Sequence, residues 1–168
     1  VNYHQVSVAA ESFTAALFAW AGFDISVQYG PNQPEYDLVV VRGPQMLKVS
    51  VKGSQDGGWG LTQGFKKGRT YHEAADVWVN KHTANTIVSL VQFKDVDITK
   101  GELPRVYLAT PREIGNRLKE SRANFGETIL KEKHTWKSGV AQGHTDRIPE
   151  SWKFSKERIV ELLSTQYI

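Results

Sequence analysis

YDLVVVRGPQMLKVSVK, residues Tyr36–Lys52, reads as two short strands and a tight turn. Leu38, Val39, Val40 and Val41 form a nearly continuous apolar run, the pattern of a strand covered on both faces. Gly43-Pro44 interrupts it, and Met46–Lys52 follows as a second strand with Met46, Val49 and Val51 as its apolar members. Asp37 opens the first strand and Lys52 closes the second, so an acid and an amine flank a hydrophobic hairpin. Such a pair can hold a metal ion and stabilise an attacked phosphate.

Working outward, Val6, Ala9, Ala10, Phe13, Ala16, Leu17 and Trp20 recur at spacings of three and four. They predict an amphipathic helix capped by Ser7 and stopped at Gly22, with Glu11 on its flank beside Thr14, Ala15 and Phe18. Phe23–Tyr29 alternates as a strand and residues 30–34 read as a loop. Gly53–Gly68 holds six glycines and is expected as a loop rather than an element. Tyr71–His82 has helical periodicity, although Asp76–Val79 alone also suits a strand. Thr86–Phe93 and Pro104–Ala109 are predicted strands. Thr110-Pro111-Arg112-Glu113 is a helix start with cap, proline and reciprocal glutamate, running to about Arg122. A late strand is expected within Thr128–Trp136, then a loop, then a closing helix capped by Ser155.

The chain has 168 residues, enough for one domain with a real core. The reading is a single unit, with a core over residues 7–109 and a C-terminal extension over 110–168. Its +3 formal charge is compatible with nucleic acid without demanding it. The absence of cysteine excludes a disulfide scaffold, a thiolate zinc site and a cysteine nucleophile, and fits a cytoplasmic protein. Phe13–Phe23 is too short to span a bilayer and lacks the basic flank of a signal peptide. The chain starts at Val1, so an initiator Met is expected to have been lost or trimmed. The five histidines show no ligand spacing, and neither a P-loop nor a dinucleotide fingerprint occurs.

Helix with Glu11, strand, Asp37 at a strand start, Ser50-Val51-Lys52 at a strand end, then a helix: in this order the chain resembles the PD-(D/E)XK nuclease superfamily. That group includes restriction endonucleases and archaeal-type Holliday junction resolvases. The likeness covers roughly residues 7–93. It implies an α/β (α+β) fold with an αβββαβ core, a mixed central sheet flanked by helices, and here an extra C-terminal strand and helix. It implies a metal-dependent DNA endonuclease using Mg²⁺ or Mn²⁺. Asp37 and Glu11 would bind metal and Lys52 would position the attacking water, acting on duplex or branched DNA, with a homodimer as one arrangement open to it. No membrane association is expected.

Two departures accompany the resemblance. Tyr36 stands where the family has Pro, and Ser50 where it has Glu or Asp, which removes a full negative charge from the site. Ser50 would then serve as a neutral ligand or support, with a neighbouring backbone carbonyl assisting. Otherwise the acid comes from elsewhere: Glu73 on the following helix, 21 residues beyond Lys52, or less suitably Asp56 or Asp76. Loss of that acid equally fits a nuclease-fold module that binds nucleic acid or a protein without cleaving. Taken singly, Glu11, Asp37 and Lys52 also read as ordinary surface, turn and edge residues of an α/β domain with no nucleic-acid role. For DNA contact, Lys66, Lys67 and Arg69 would meet phosphates, and Gln55, Trp59 and Gln63 bases or sugars. Arg112, Arg117, Lys119 and Arg122 form a second basic candidate.

Overall fold

The computed structural model describes residues 1–28 and 35–166; the predicted loop at 30–34 and the predicted strand end at 29 lie outside them. Helix α1 (Tyr3–Trp20) leads into three antiparallel strands, β1 (Asp24–Val27), β2 (Leu38–Arg42) and β3 (Gln45–Ser54). A short strand β4 (Gly58–Gly60), a 3-10 turn and helix α2 (Tyr71–Asn80) follow. Strand β5 (Thr86–Gln92) returns parallel to β3, and β6 (Arg105–Ala109) closes the edge antiparallel to β5. The sheet order is β1-β2-β3-β5-β6, a mixed five-stranded sheet. Helix α3 (Pro111–Glu120), short strands β7 (Ile129–Lys131), β8 (Lys133–Thr135) and β9 (Thr145–Arg147), and helix α4 (Lys156–Gln166) complete the chain. No helix among the described residues is long and apolar enough to cross a membrane.

The two faces of the sheet carry separate apolar layers, which explains the continuous hydrophobic runs. Leu38 and Val40 of β2 and Leu47, Val49 and Val51 of β3 pack with Ala10 and Phe18 of α1 and Ile159, Leu162 and Leu163 of α4. On the other face Val88 and Leu90 of β5 pack with Ala75 and Trp78 of α2 and Ile114 and Leu118 of α3. Since side chains alternate along a strand, Lys48, Ser50 and Lys52 belong to the α2 face. Lys48 accordingly bonds to Thr83, just past the end of α2. The β2–β3 turn is tight and falls at Gly43-Pro44 as expected, with β3 beginning one residue earlier than Met46: Arg42 lies opposite Gln45 and Gly43 has a φ of 58°, the conformation required at the first position of a II′ turn.

Four expectations are corrected. Helix α1 starts at Tyr3 rather than beyond Ser7, because Asn2 and Gln5 form a reciprocal capping box. Its buried line is Val6, Ala10, Thr14 and Phe18, whereas Trp20 is 94% exposed. Thr14 tolerates burial because its hydroxyl meets that of Ser89 on β5 at 2.9 Å. The glycine-rich stretch is no plain loop: β4 pairs with β7, and Trp59 is buried with its indole N–H donated to the Val91 carbonyl. The predicted loop after Trp136 contains β9, which pairs with β8.

Candidate functional site

Strand β3 outlasts its neighbour. The ladder with β2 ends at Leu38 opposite Val49, while β3 runs on to Ser54 beside β5. Asp37 finishes the ladder twice over. Its backbone N–H donates to the Val49 carbonyl at 2.9 Å, and its Oδ2 accepts the Val51 N–H at 2.7 Å. The side chain thus replaces the strand that stops there, and Oδ1 makes no hydrogen bond among the described residues. Past this point the β3 edge opens into a cleft of about 670 Å³, lined among others by Glu11, Asp37, Lys52, Asp56 and Lys94.

Glu11 reaches this cleft because α1 lies unusually close to β3. A Cβ at Gly53 would stand 2.9 Å from both Ala10 Cβ and Val6 Cγ1 and 3.0 Å from the Val6 carbonyl. Only glycine permits that approach. Tyr3, Val6, Ser7 and Glu11, at helical spacing, form the α1 wall. Glu11 lies one position beyond buried Ala10, so its carboxyl sits at the rim of the α1–sheet contact.

Electrostatics tie the three residues together. Burial raises the Glu11 carboxyl above the usual carboxylate range, and the Asp37 charge raises it further; His4 and Lys52 oppose this without cancelling it. Among the described residues neither Glu11, Asp37 nor Lys52 belongs to a salt bridge. Two carboxylates and one amine therefore share a cleft without consuming one another. Two hard oxygen donors suit Mg²⁺, which commonly takes one or two carboxylates and keeps waters. No cluster of three or more His, Cys, Asp or Glu that could hold a metal occurs among the described residues.

The remaining candidates divide. Ser50 is 1% exposed, beside Val88 of β5, and does not line the cleft. Glu73 lies at the exposed start of α2, where Thr70 caps its N–H and donates its hydroxyl to the carboxylate; it does not line the cleft either. Asp56 does, but its Oδ1 accepts from Ser54 Oγ and the Gly58 N–H, as in an Asx turn. Asp76 pairs with Lys119 instead. Gln55 and Gln63 line the cleft, Gln55 holding the Val1 carbonyl at 2.9 Å. Trp59 contributes to the wall from a buried position, with its ring against Tyr107, so its aromatic surface is committed to the core. Lys66, Lys67 and Arg69 lie outside the cleft: Lys66 covers the Tyr71 ring and Arg69 bonds to the Phe65 carbonyl. The Arg117, Lys119 and Arg122 candidates are taken up by Glu120, Asp146, Asp76 and Glu127.

Sequence reasoning missed Lys94, Lys131, Lys133 and His134, all on the cleft wall. The signal was present in Leu130-Lys131-Glu132-Lys133. Alternation sends Leu130 into the core and Glu132 to Arg105 and Tyr107, while the lysines face outward. No family model, curated protein or solved structure matches this chain.

Proposed function

We propose that the protein is a metal-dependent phosphodiester hydrolase acting on DNA, built on a restriction endonuclease-like core. The observation that carries this reading is the meeting of Glu11, Asp37 and Lys52 in one cleft, at the point where β3 extends past β2. The element order supports it as well: α1, a three-stranded antiparallel meander, α2, and a strand returning parallel to β3. Glu11 and Asp37 would hold a Mg²⁺ or Mn²⁺ ion, which would supply Lewis acidity to a phosphate oxygen and to water. Asp37 offers Oδ1 while the Val51 N–H fixes its other oxygen. Lys52 places a positive charge where the attacked phosphate gains negative charge, and orients the incoming water.

Buried Ser50, together with the absence of a third ligand among the described residues, favours a second reading. In that reading the same cleft binds nucleic acid without cleaving it. Asp37→Asn and Lys52→Ala separate the two. Cleavage of plasmid and of branched and single-stranded DNA is measured with Mg²⁺ and with Mn²⁺. The hydrolase reading expects wild-type cleavage, abolished by EDTA and reduced at least 100-fold in either variant. Wild-type protein that cleaves none of these substrates with either metal rules out the hydrolase.

A further inference from the structure

We propose that Lys94, Lys131 and Lys133 form a phosphate-binding wall facing Glu11, Asp37 and Lys52, so that the segment just after β5 and the β7–β8 ribbon together serve as the nucleic-acid grip of the cleft. The proposal rests on the hydrolase or binding reading above for the identity of the ligand. It differs in placing the grip on β7, β8 and the segment just after β5, away from the Lys66–Arg69 turn.

The first observation is a contrast in pairing. Arg105, Arg117, Lys119, Arg122, Lys153 and Arg158 each sit in a salt bridge with a carboxylate. Lys94, Lys131 and Lys133 belong to none among the described residues, as is also true of Lys52, Lys66 and Lys67; what distinguishes Lys131 and Lys133 is that the carboxylate between them, Glu132, is bonded elsewhere. Glu132 is fully engaged: Arg105 donates to it at 2.8 and 3.0 Å and the Tyr107 hydroxyl at 2.6 Å. The carboxylate between Lys131 and Lys133 is turned to Arg105 and Tyr107, and of the three wall lysines Lys94 acts on it through space.

The second observation is preorganisation. One buried side chain, Gln92, accepts through Oε1 from the backbone N–H of both Lys94 and Gly57, fixing the two sides of the cleft mouth to each other. Lys131 pairs in register with Gly58, and Gly60 with Ile129, on either side of Trp59 and Leu130, which are both buried in the core. The outward positions of β4 are therefore glycines, and a Cβ at Gly58 would meet Ile129 Cγ2 at 2.9 Å. Glycine at these positions lets Ile129 lie against Gly58 and the Gln63 amide against Gly60, so neighbouring side chains pack flat on β4 beside the lysines.

The third is charge balance. The acids lining the cleft are Glu11, Asp37 and Asp56, and its lysines are Lys52, Lys94, Lys131 and Lys133. The lysines outnumber the acids before any metal is added, and a divalent cation offsetting Glu11 and Asp37 would widen a positive surplus that matches a run of phosphates.

The test is binding in EDTA, where no cleavage interferes. Anisotropy of a short fluorescein-labelled duplex and of a single strand is followed against salt for wild type, Lys94→Gln/Lys131→Gln/Lys133→Gln, and Lys66→Gln/Lys67→Gln. Three lost phosphate contacts should weaken binding about tenfold or more and flatten the log K against log salt slope by about 2.7 for duplex or about 2 for single strand. The Lys66/Lys67 variant should keep the wild-type slope. If the triple variant melts below wild type, the single variants carry the test, each removing about 0.9 of slope on duplex. A wild-type slope in the triple variant, loss of slope in the Lys66/Lys67 variant, or wild-type protein that binds neither nucleic acid overturns the proposal. Lysine-dependent binding without cleavage upholds the wall and sinks the hydrolase. Cleavage with lysine-independent binding does the reverse.

Discussion

Gly53→Ala tests how the fold builds the site. The new Cβ would lie 2.9 Å from Ala10 Cβ and Val6 Cγ1 and 3.0 Å from the Val6 carbonyl oxygen. Carbon atoms rest at about 3.5–4.0 Å, so α1 must retreat by roughly 0.6 Å or more. Rotation relieves only the Val6 contact, since Ala10 Cβ and the Val6 carbonyl move only with the helix. Overpacking of this kind costs about 1–3 kcal/mol. For a chain of this size, each kcal/mol lowers Tm by about 2–4 °C. Gly64→Ala is the control: nothing lies within 4 Å of its Cβ position, and it should be neutral or gain about 0.4–1 kcal/mol through the unfolded chain. Melts by circular dichroism give the stability change. The Glu11 carboxyl resonance followed by NMR gives the second readout, because retreat of α1 relieves both its burial and its approach to Asp37. Its titration should therefore move down toward the ordinary carboxylate range. A Gly53→Ala protein that melts with wild type, or one that loses stability while Glu11 titrates unchanged, would refute the claim that this contact places Glu11.

Glu11→Gln should stabilise the metal-free protein near neutral pH. The folded-state pKa of Glu11 is raised, first by burial and then by Asp37, so the folded chain holds this proton more tightly than the unfolded one. Its favourable contribution is complete below the unfolded pKa and is lost as pH rises through the folded one. The gap between variant and wild type should accordingly close on acidification through the carboxylate range, as read by urea melts at several pH values. Added Mn²⁺ should raise the wild-type Tm and raise that of Glu11→Gln less; an equal response would remove Glu11 from the metal site. Trp59→Phe should lose about 1 kcal/mol with the indole hydrogen bond to Val91 and keep wild-type affinity for DNA, measured by chemical denaturation and anisotropy. A large loss of affinity with intact stability would restore the base-contact role expected from sequence.

What the sequence showed clearly was local. The Gly43-Pro44 turn and the Thr110-Pro111-Glu113 capping box encode their geometry within a few residues, and both form as expected. The Asn2-x-x-Gln5 box is equally local, yet the cap was expected at Ser7, whose hydroxyl bonds back to the Tyr3 carbonyl inside the helix. The buried stripe of α1 was harder for a different reason. Thr14 is satisfied by Ser89, a partner 75 residues away that no helical period reveals. Strand β7 falls within the late strand expected over Thr128–Trp136, but three-residue β4 exists only through pairing with β7 across the 71 residues from Trp59 to Leu130, so no run of letters marks it. The acid and amine of the cleft were legible because they flank a hairpin. Its lysine wall was not, because it depends on that long-range pairing.

Ser50 takes on a different meaning once its surroundings are known. It is almost fully buried, beside Val88 in the layer formed with α2 and α3, and across from Asp37 at the end of the β2–β3 ladder. A carboxylate there would leave water beside a second acid, and an unpaired buried ion costs several kcal/mol before any metal arrives. Glu11 already bears that kind of penalty in milder form, as its raised pKa shows. With serine at 50, the metal-free fold carries two coupled acids instead of three, at the expense of one ligand for a cation. The counterweight lies across the cleft, where unpaired lysines supply attraction for phosphates that does not depend on the metal. A site balanced in this way would draw much of its hold on the substrate from Lys94, Lys131 and Lys133 and comparatively little from a tightly held ion. Its affinity for nucleic acid should then survive EDTA, and any cleavage should demand a freely supplied divalent cation.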